Sequence, residues 1–367
     1  MDKEYHLKNL NNPETTPEQR LASAAFLKDF IPPLEKAVCE IDLHIHSFYS
    51  DGYHSPSGRV FEARQRQMKA ISLTDHDNFD GYPEALRAGE ILNIEVVPGI
   101  EFYTNRPGIE IIAFWPDKDH FLKWLTQDGG REFILPLKKA KQKQLKQMIS
   151  RVPECMAVHG LTAAITGEDI RRYVRHGVST KGDISVIMWQ KYGVSLQKKG
   201  IAADVKDFQA RYTTRDDQLN VPLETGLDLS PVGIVRMVRQ WGGLPGISHP
   251  TELRKKEGLG NAVLYEIIRE LGRAGLQCLE VDGWRNSICP ETGKHHTRVF
   301  AGMAAAYHKR FPNRPELILT NGSDDHNQPG EGLVLGSGRN RNLDPAYGRF
   351  QTVLDLRERQ RQLLNLH

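Results

Sequence analysis

The chain has 367 residues, of which 39% are hydrophobic and 26% are charged, which is typical of a soluble globular protein with a sizeable core. Its 49 basic and 46 acidic residues leave a formal net charge of +3, which excludes the strong basic field of a dedicated nucleic-acid-binding protein. The four cysteines lack metal-ligand spacing, and no apolar run resembles a signal peptide or a membrane span, so we expect a cytoplasmic protein.

The first predicted element belongs to a polar N-terminal extension, residues 1–38. A helix is predicted from about Pro17 to Phe30, because the two prolines that follow Ile31 stop helical continuation. No residue of this extension has a spacing that indicates chemistry.

From Glu40 onward, predicted strands alternate with predicted helices. Extended segments are predicted at 41–46, 70–74, 94–100 and 109–115. Ser55-Pro56 opens one intervening helix as N-cap and first helical residue, and another helix is predicted at about 83–92. This order predicts an α/β fold with a parallel sheet, either open or closed into a barrel.

The alternation stops after Pro116 and resumes at Ser230-Pro231. Residues 117–228 are rich in lysine and helical in periodicity, which indicates an inserted helical cap. A helix to Trp241, strands at 244–248 and 276–281, a helix at 261–274 and a last helix and strand to Ser323 follow. The main domain is therefore assigned to 39–116 and 229–340, and 341–367 to a tail with a helix at 346–364.

The candidate catalytic residues begin with His44 and His46 at the end of the first strand. Side chains at i and i+2 of a strand face the same side, so both imidazoles can reach one ion. The spacing alone is ambiguous, since two such histidines can also be surface or core residues. Asp51 follows in a loop where Gly52 permits a turn back toward the strand end.

Further polar groups follow the other strands. His76 comes with two flanking carboxylates that could orient it, and Glu101 closes the strand predicted at 94–100. His249 follows the strand at 244–248, and Asp324 and His326 follow the last one. Polar groups at successive strand ends mark the face of an α/β barrel that holds active sites.

Imidazole and carboxylate ligands without thiolates suit zinc, manganese or iron(II), and this many anionic groups require more than one cation. We therefore expect two or three divalent metal ions. Such a centre favours hydrolysis of phosphate esters, because it supplies a hydroxide near neutral pH and stabilises the charge of phosphoryl displacement.

The ordered motifs resemble the PHP (polymerase and histidinol phosphatase) family, in its stand-alone branch with a helical insertion. The resemblance spans residues 40 to about 330 and rests on Asp42-Leu43-His44-Ile45-His46, Asp51-Gly52, Thr74-Asp75-His76-Asp77, Pro98-Gly99-Ile100-Glu101, His249-Pro250 and Gly322-Ser323-Asp324-Asp325-His326.

The resemblance implies a distorted (β/α)7 barrel with a trinuclear metal site. One metal would be held by His44, His46, Glu101 and Asp324, a second by Asp51, His76 and His326, and a third by Glu101 with His249. It implies a small phosphorylated substrate, a nucleotide or a short nucleic acid, since members include nucleotide bisphosphate phosphatases and 5′-to-3′ oligoribonucleases.

Two positions depart from the family pattern. Glu110 stands where the family usually has a histidine, which puts the third metal in doubt, with His120 as an alternative ligand. Lys181 stands where relatives have an arginine that grips phosphate, and Asp183 stands where they have a histidine. Glu280 lies at a strand end that either lines the pocket or is structural, and a surface role is expected for His295-His296.

The mechanistic hypothesis is in-line attack of a metal-bridging hydroxide on phosphorus, with Asp324 accepting or orienting its proton and His249 or His326 assisting departure of the leaving group. Two alternatives stay open. An amidohydrolase would also begin with two such histidines but would cleave carbon–nitrogen bonds, and a PHP module without catalysis would have a structural role. The oligomeric state is not predicted.

Overall fold

The computed structural model describes residues 2–32, 34–127, 130–173, 181–213, 219–282, 288–327, 332–338, 341 and 343–365. Within these ranges the strands form one three-stranded and one five-stranded sheet. The strands are β1 Ile41–Ile45, β2 Ala70–Leu73, β3 Glu95–Val96, β4 Gly99–Tyr103, β5 Glu110–Phe114, β6 Leu244–Ile247, β7 Cys278–Asp282 and β8 Ile318–Asn321.

The sheets confirm the α/β class but correct the expected direction of two strand pairs. β1, β2 and β3 pair in parallel, as do β6, β7 and β8. The β4–β5 and β5–β6 pairs are antiparallel. Residues 104–109 between β4 and β5 are too few for the crossover that a parallel pair needs, so these two strands form a hairpin.

The strand predicted at 94–100 is divided at Pro98. Val97 donates its N–H to the carbonyl of Ile71 in β2 (2.9 Å), whereas the Pro98 carbonyl accepts the N–H of Trp115 (2.7 Å). After pairing with β2, the chain therefore turns toward β5 at Pro98, which has no backbone N–H to donate. As a consequence Glu101 lies within β4, and the prediction that it closes a strand is wrong.

The helices that flank the strands begin and end close to the predicted positions, but the C-terminal helix predicted at 346–364 begins only at Gln351. Ser55 and Ser230 are N-caps, whose Oγ atoms accept the N–H groups of Gly58 (2.8 Å) and Gly233 (3.0 Å). The helices are α1 Lys3–Leu10, α2 Pro17–Leu27, α3 Pro56–Gln65, α4 Tyr82–Leu92, α5 Lys118–Thr126, α6 Leu135–Ala157, α7 Gly167–Tyr173, α8 Lys181–Lys198, α9 Val205–Phe208, α10 Pro231–Gln240, α11 Pro250–Glu257, α12 Asn261–Ala274, α13 His296–Arg310 and α14 Gln351–Leu364.

The N-terminal helices are tied to the main domain by a buried ion pair. Arg20 in α2 donates to both carboxylate oxygens of Glu84 in α4 (2.9 and 2.6 Å), and Glu84 also accepts the N–H of Ser57 (3.1 Å). The end of α1 reaches the segment after Asp51, where Ser55 donates to the carbonyl of Leu10 (2.5 Å). Residues 1–38 therefore pack against the elements that flank the Asp51 loop.

The chain divides into two compact units, Met1–Gly129 with Asp228–His367, and Gly130–Leu227. The core of the first unit joins the strands to α14, with residues such as Ile41, Phe114 and Leu356 fully buried. The second unit has a separate core around Met156 and Phe208. None of the helices in the described ranges is long and apolar enough to cross a membrane.

Candidate metal centre

The first cluster of candidate ligands consists of His44, His46, Glu101 and Asp324. The Nε2 atoms of His44 and His46 lie 3.1 and 3.4 Å from Glu101 Oε2 and 3.4 and 3.1 Å from Asp324 Oδ1. The ligating atoms of all four lie within 4.8 Å of one another. The two histidines therefore face one point, as expected from their positions at i and i+2.

Asp324 reaches this cluster because the chain after β8 passes very close to β1. A Cβ atom at Gly322 would lie 2.1 Å from the Cβ of His44, so only glycine fits there. Asp324 then adopts a φ of 55° and donates its N–H to the carbonyl of His44 (2.8 Å). Aspartate is one of the few residue types that tolerate this left-handed conformation.

The loop that carries Asp51 is also held against β1. A Cβ atom at Gly52 would lie 2.6 Å from the carbonyl carbon of His46, so glycine allows this close approach. The Asp75 carboxylate accepts the N–H of Ser47 (2.8 Å) and the hydroxyls of Ser47 and Ser50 (both 2.6 Å). The expectation that Asp75 orients His76 is therefore wrong, because its hydrogen bonds fix the loop before Asp51 instead.

The second cluster consists of His46, Asp51, His76 and His326. Asp51 Oδ2 lies 3.4 Å from His326 Nε2 and 3.7 Å from His76 Nε2, and Asp51 Oδ1 lies 3.5 Å from His46 Nδ1. The rings of His46 and His326 stack with their centroids 4.4 Å apart. The structure thus brings together the three predicted ligands and adds His46, whose two nitrogens face different clusters.

The third cluster contains Glu110, the position that departs from the family pattern. It consists of His76, Glu101 and Glu110. His249 Nε2 also lies 2.9 Å from Glu101 Oε1 and 3.0 Å from Glu110 Oε2. Glu101 is therefore shared between the first and third clusters, and Glu110 faces the site.

The charges of the site balance one another only in part. Burial opposes ionisation of Glu101, but His44, His76 and His249 hold its pKa well below the usual value. Burial also opposes protonation of His46, but Asp324, Asp51 and Glu101 raise its pKa to about 9. Protonation of His46 thus compensates the buried carboxylates in part, whereas burial lowers the pKa of His76 to about 4, and a bound cation would displace the remaining protons.

A metal ion fits the site because key polar atoms lack other partners. Within the described residues, His44 Nε2 and both oxygens of Glu101 are buried and make no hydrogen bond of good geometry, although imidazole nitrogens lie 2.9–3.4 Å from the Glu101 oxygens. Burying such atoms is costly unless something compensates them. Nitrogen and oxygen donors gathered this closely fit divalent transition-metal ions.

Glu280 in β7 supports the site from behind His44. Its Oε2 lies 2.7 Å from His44 Nδ1, on the opposite side of the ring from Glu101, and its Oε1 accepts the N–H of His249 (3.2 Å). A carboxylate on the far nitrogen fixes the orientation and tautomer of a ligating histidine. From the sequence, Glu280 could either line the pocket or have a structural role. Its position within an apolar strand was the only indication that this carboxylate is buried near the site.

We expect Glu280→Gln to weaken metal binding about 10–100-fold, because the amide cannot hold the His44 imidazole as strongly as the carboxylate does. Titration of Mn²⁺ into chelator-stripped protein measures this. Glu266→Gln, at a half-exposed position in α12, is the matched control and should bind as the unmodified protein does. Equal affinities for both variants would contradict the role of Glu280.

The remaining candidate residues lie outside these clusters. The side chain of Lys181, at the start of α8, is outside the described residues. His120 Nε2 contacts the carbonyl of Trp241 (3.1 Å) in place of the candidate ligands. His296 is buried and stacks on Phe300, so the expected surface role is wrong for it.

These overlapping clusters define a multinuclear type of metal site on an α/β fold. The sequence profile of the PHP domain matches residues 42–181, in agreement with the resemblance to PHP metal-dependent phosphoesterases that the motifs predicted. His249, Asp324 and His326 lie beyond the matched residues.

Two exoribonucleases are among the relatives that this chain resembles in sequence. A 5′-3′ exoribonuclease of Haemophilus influenzae is 40% identical over 81 residues, which cover 22% of this chain and 30% of that protein. The chain therefore matches less than a third of that relative's length. The Salmonella typhimurium 5′-3′ exoribonuclease is 22% identical over 288 residues, covering 74% of this chain and 86% of that protein.

Two solved structures share the fold. A protein assigned as a metal-dependent phosphoesterase from Bifidobacterium adolescentis has a TM-score of 0.63 and 21% identity, covering 89% of this chain and 97% of that chain. An amidohydrolase from Chromobacterium violaceum with bound sulfate has a TM-score of 0.59 and 20% identity, covering 87% and 96%. At this identity both structures bear on the fold alone.

Proposed function

We propose that this protein is a metal-dependent hydrolase of phosphate esters in a nucleotide or a short oligonucleotide. The observation that carries the proposal is the sharing of Glu101 and His46 among three clusters of histidines and carboxylates, which suits two or three closely spaced ions. Manganese, iron and zinc are the proposed metals. When bound, such ions lower the pKa of a coordinated water and clamp substrate oxygens.

The side chains around the clusters have distinct proposed roles. Asp324 would orient the attacking water and accept its proton, since its carboxylate contacts both His44 and His46. Burial would lower the pKa of His249, but Glu101 and Glu110 raise it well above the usual value. In the metal-free protein the His249 imidazole would therefore hold a proton, and His249 is the proposed donor to the leaving group when it does not ligate the third metal. His326 is the alternative donor.

The substrate class is proposed from the relatives and the inserted unit. Two of the relatives are exoribonucleases that act in the 5′-to-3′ direction. The second unit includes α6, whose Lys139, Lys143 and Lys146 are exposed. We propose that this unit is a cap and that its lysines, with Lys181, attract the remaining anionic part of the substrate.

We propose a barrel in which the clusters would lie at one end of the strands. Isolated parallel bridges join Ile45 to Asp325 and His76 to Glu101, and each pair spans the two sheets. Counting β3 and β4 as one interrupted strand, we propose a single distorted seven-stranded barrel. The candidate ligands would then lie where its strands come together, as in other α/β barrels.

The decisive experiment is hydrolysis by chelator-stripped protein reloaded with Mn²⁺, Fe²⁺ or Zn²⁺. The substrates are nucleoside 3′,5′-bisphosphates, 5′-phosphorylated RNA oligonucleotides, simple phosphate monoesters and diesters, and a panel of cyclic and acyclic amides. We expect metal-dependent release of phosphate or mononucleotides. Amide turnover without any phosphoester turnover would contradict the proposal and favour the amidohydrolase alternative.

A structural module without catalysis is tested by elemental analysis. Protein purified without chelator is expected to contain more than one equivalent of transition metal, because so many donors converge. Less than one equivalent, with no activity after addition of manganese or iron, would favour the structural role.

Glu110→His is expected to shift metal preference toward zinc. Burial and the nearby Glu101 raise the pKa of Glu110 to about 7, so its carboxylate is an unfavourable neighbour for Glu101 when no cation is bound. An imidazole would replace one anionic oxygen donor with a neutral nitrogen donor, and the Zn²⁺ to Mn²⁺ affinity ratio should rise at least about tenfold. Competitive loading followed by elemental analysis measures the ratio. Glu90→His, an exposed position on α4, is the control, and an unchanged ratio in Glu110→His would contradict a role as a ligand.

A further inference from the structure

Arg59 in α3 is a completely buried guanidinium directly beneath the loop that follows β8. Its Nη2 lies 2.8 Å from Asp325 Oδ2 and 3.3 Å from the Asp325 carbonyl, and its Nη1 lies 2.9 Å from Glu62 Oε2. The side chains of Arg59 and Asp325 are 0% and 2% exposed. Since both charges are removed from water, the geometry of this pair is strongly constrained.

Asp325 stands between two candidate ligands but does not join them. Its carboxylate also accepts the N–H of Asn327 (2.8 Å), and its carbonyl accepts the N–H of His46 (3.1 Å). Asp324 and His326 on either side turn into the first and second clusters. The Asp325 side chain therefore anchors the segment to α3, while its neighbours face the clusters.

We propose that Arg59 is a positioning residue that fixes Asp324 and His326 in ligand geometry through its ion pair with Asp325. The inference rests on the metal centre of the proposed function. Asp324 has a left-handed φ of 55°, which is a sparsely populated backbone conformation. Contacts on both sides of Asp324 are therefore needed to hold the segment in place. The Asp324 N–H bond to His44 holds one side, and Arg59 holds the other.

The surroundings of Arg59 make a specific test feasible. Glu62, the other carboxylate at Arg59, also pairs with Arg66 (3.2 Å) and is partly exposed. Loss of Arg59 therefore removes the cation that pairs with the buried Asp325 carboxylate. An unpaired buried charge would draw the segment toward water and move the two adjacent ligands.

The test is a double-mutant cycle on Mn²⁺ affinity, measured by calorimetric titration of the full chain after chelator treatment. Arg59→Met and Asp325→Ala are each expected to weaken binding about 10–100-fold, as for other residues that orient metal ligands. Because they remove the same anchor, the double variant should bind within about threefold of the weaker single variant. Arg64→Met, at an exposed position of the same helix, should bind as the unmodified protein does.

Each result is decisive. Unchanged Mn²⁺ affinity in Arg59→Met, or effects that multiply in the double variant, would overturn the inference, even if the melting temperature falls. If Arg59→Met does not fold, Asp325→Asn is used instead, since it removes the charge of the side chain but retains its volume. At least a threefold loss of Mn²⁺ affinity in Asp325→Asn supports the inference, and an unchanged affinity overturns it. If the unmodified protein binds no metal, the proposed function fails and this inference fails with it. Binding by the unmodified protein with unchanged variants overturns the inference alone.

Discussion

Glu101→Gln is expected to lower phosphoester hydrolysis by at least about a thousandfold, since stabilisation by metal ions provides several kcal/mol of the catalytic effect. Glu101 is fully buried within β4, and its oxygens face His44, His46, His76 and His249. Glutamine retains the shape of the side chain but removes the charge that the first and third clusters share. Fewer metal ions should therefore be retained.

The measurements for Glu101→Gln are metal equivalents per chain and kcat at saturating substrate. Glu90→Gln, at an exposed position of α4, should match the unmodified protein in both. A thermal melt checks that the variant is folded, because the protonated imidazoles around Glu101 lose their anionic partner. Full activity with unchanged metal content would show that Glu101 is not a shared ligand and would contradict the proposed centre.

The arrangement of the candidate ligands was predictable because local rules were sufficient for it. The positions of His44 and His46 at i and i+2 follow from strand geometry, and Gly52 allows the close approach that brings Asp51 to His46. β1 is parallel to β2 in one sheet, and β6, β7 and β8 are parallel in the other, and isolated bridges beside the candidate ligands join Ile45 to Asp325 and His76 to Glu101. Strand periodicity and the turn-forming residues were therefore sufficient to predict most of the ligand arrangement.

The parts that were not predicted depend on contacts between distant residues. Glu101 was assigned to a strand end because the apolar run 94–100 resembles one continuous strand, whereas Pro98 divides it between two sheets. Glu280 lies 2.7 Å from His44 although 236 positions separate them, and no local spacing indicates this contact. The antiparallel β5–β6 pair joins strands on either side of the insertion, so its direction is likewise determined by tertiary packing.

The ion pair of Arg59 with Asp325 illustrates the same limit. From the sequence alone, Arg59 is an ordinary polar residue in the first turn of a helix. Asp325 is one of several carboxylates in a motif of candidate ligands. Only the fold shows that the arginine is fully buried and that the carboxylate turns away from the clusters. Adjacent acidic residues in a motif can therefore have opposite orientations and separate roles.

Asp324→Asn is expected to lower kcat by about 100–10,000-fold, the usual contribution of a general base, while KM changes little. The substitution suits the backbone, because asparagine tolerates the left-handed φ of 55° at this position. Burial opposes ionisation of Asp324, but His44, His326 and His46 hold its pKa well below the usual value. Asparagine retains an oxygen for the first cluster but cannot accept a proton from the attacking water.

The experiment separates catalysis from metal binding by assaying Asp324→Asn at saturating Mn²⁺. Asp119→Asn, at an exposed position in α5, is the matched control. If Asp324 acts only as a ligand, excess metal should restore kcat, whereas loss of proton transfer persists when the site is loaded. Full activity with intact metal content would contradict both roles. A defect that remains at full occupancy would therefore assign proton transfer to Asp324, leaving the departure step to His249 or His326.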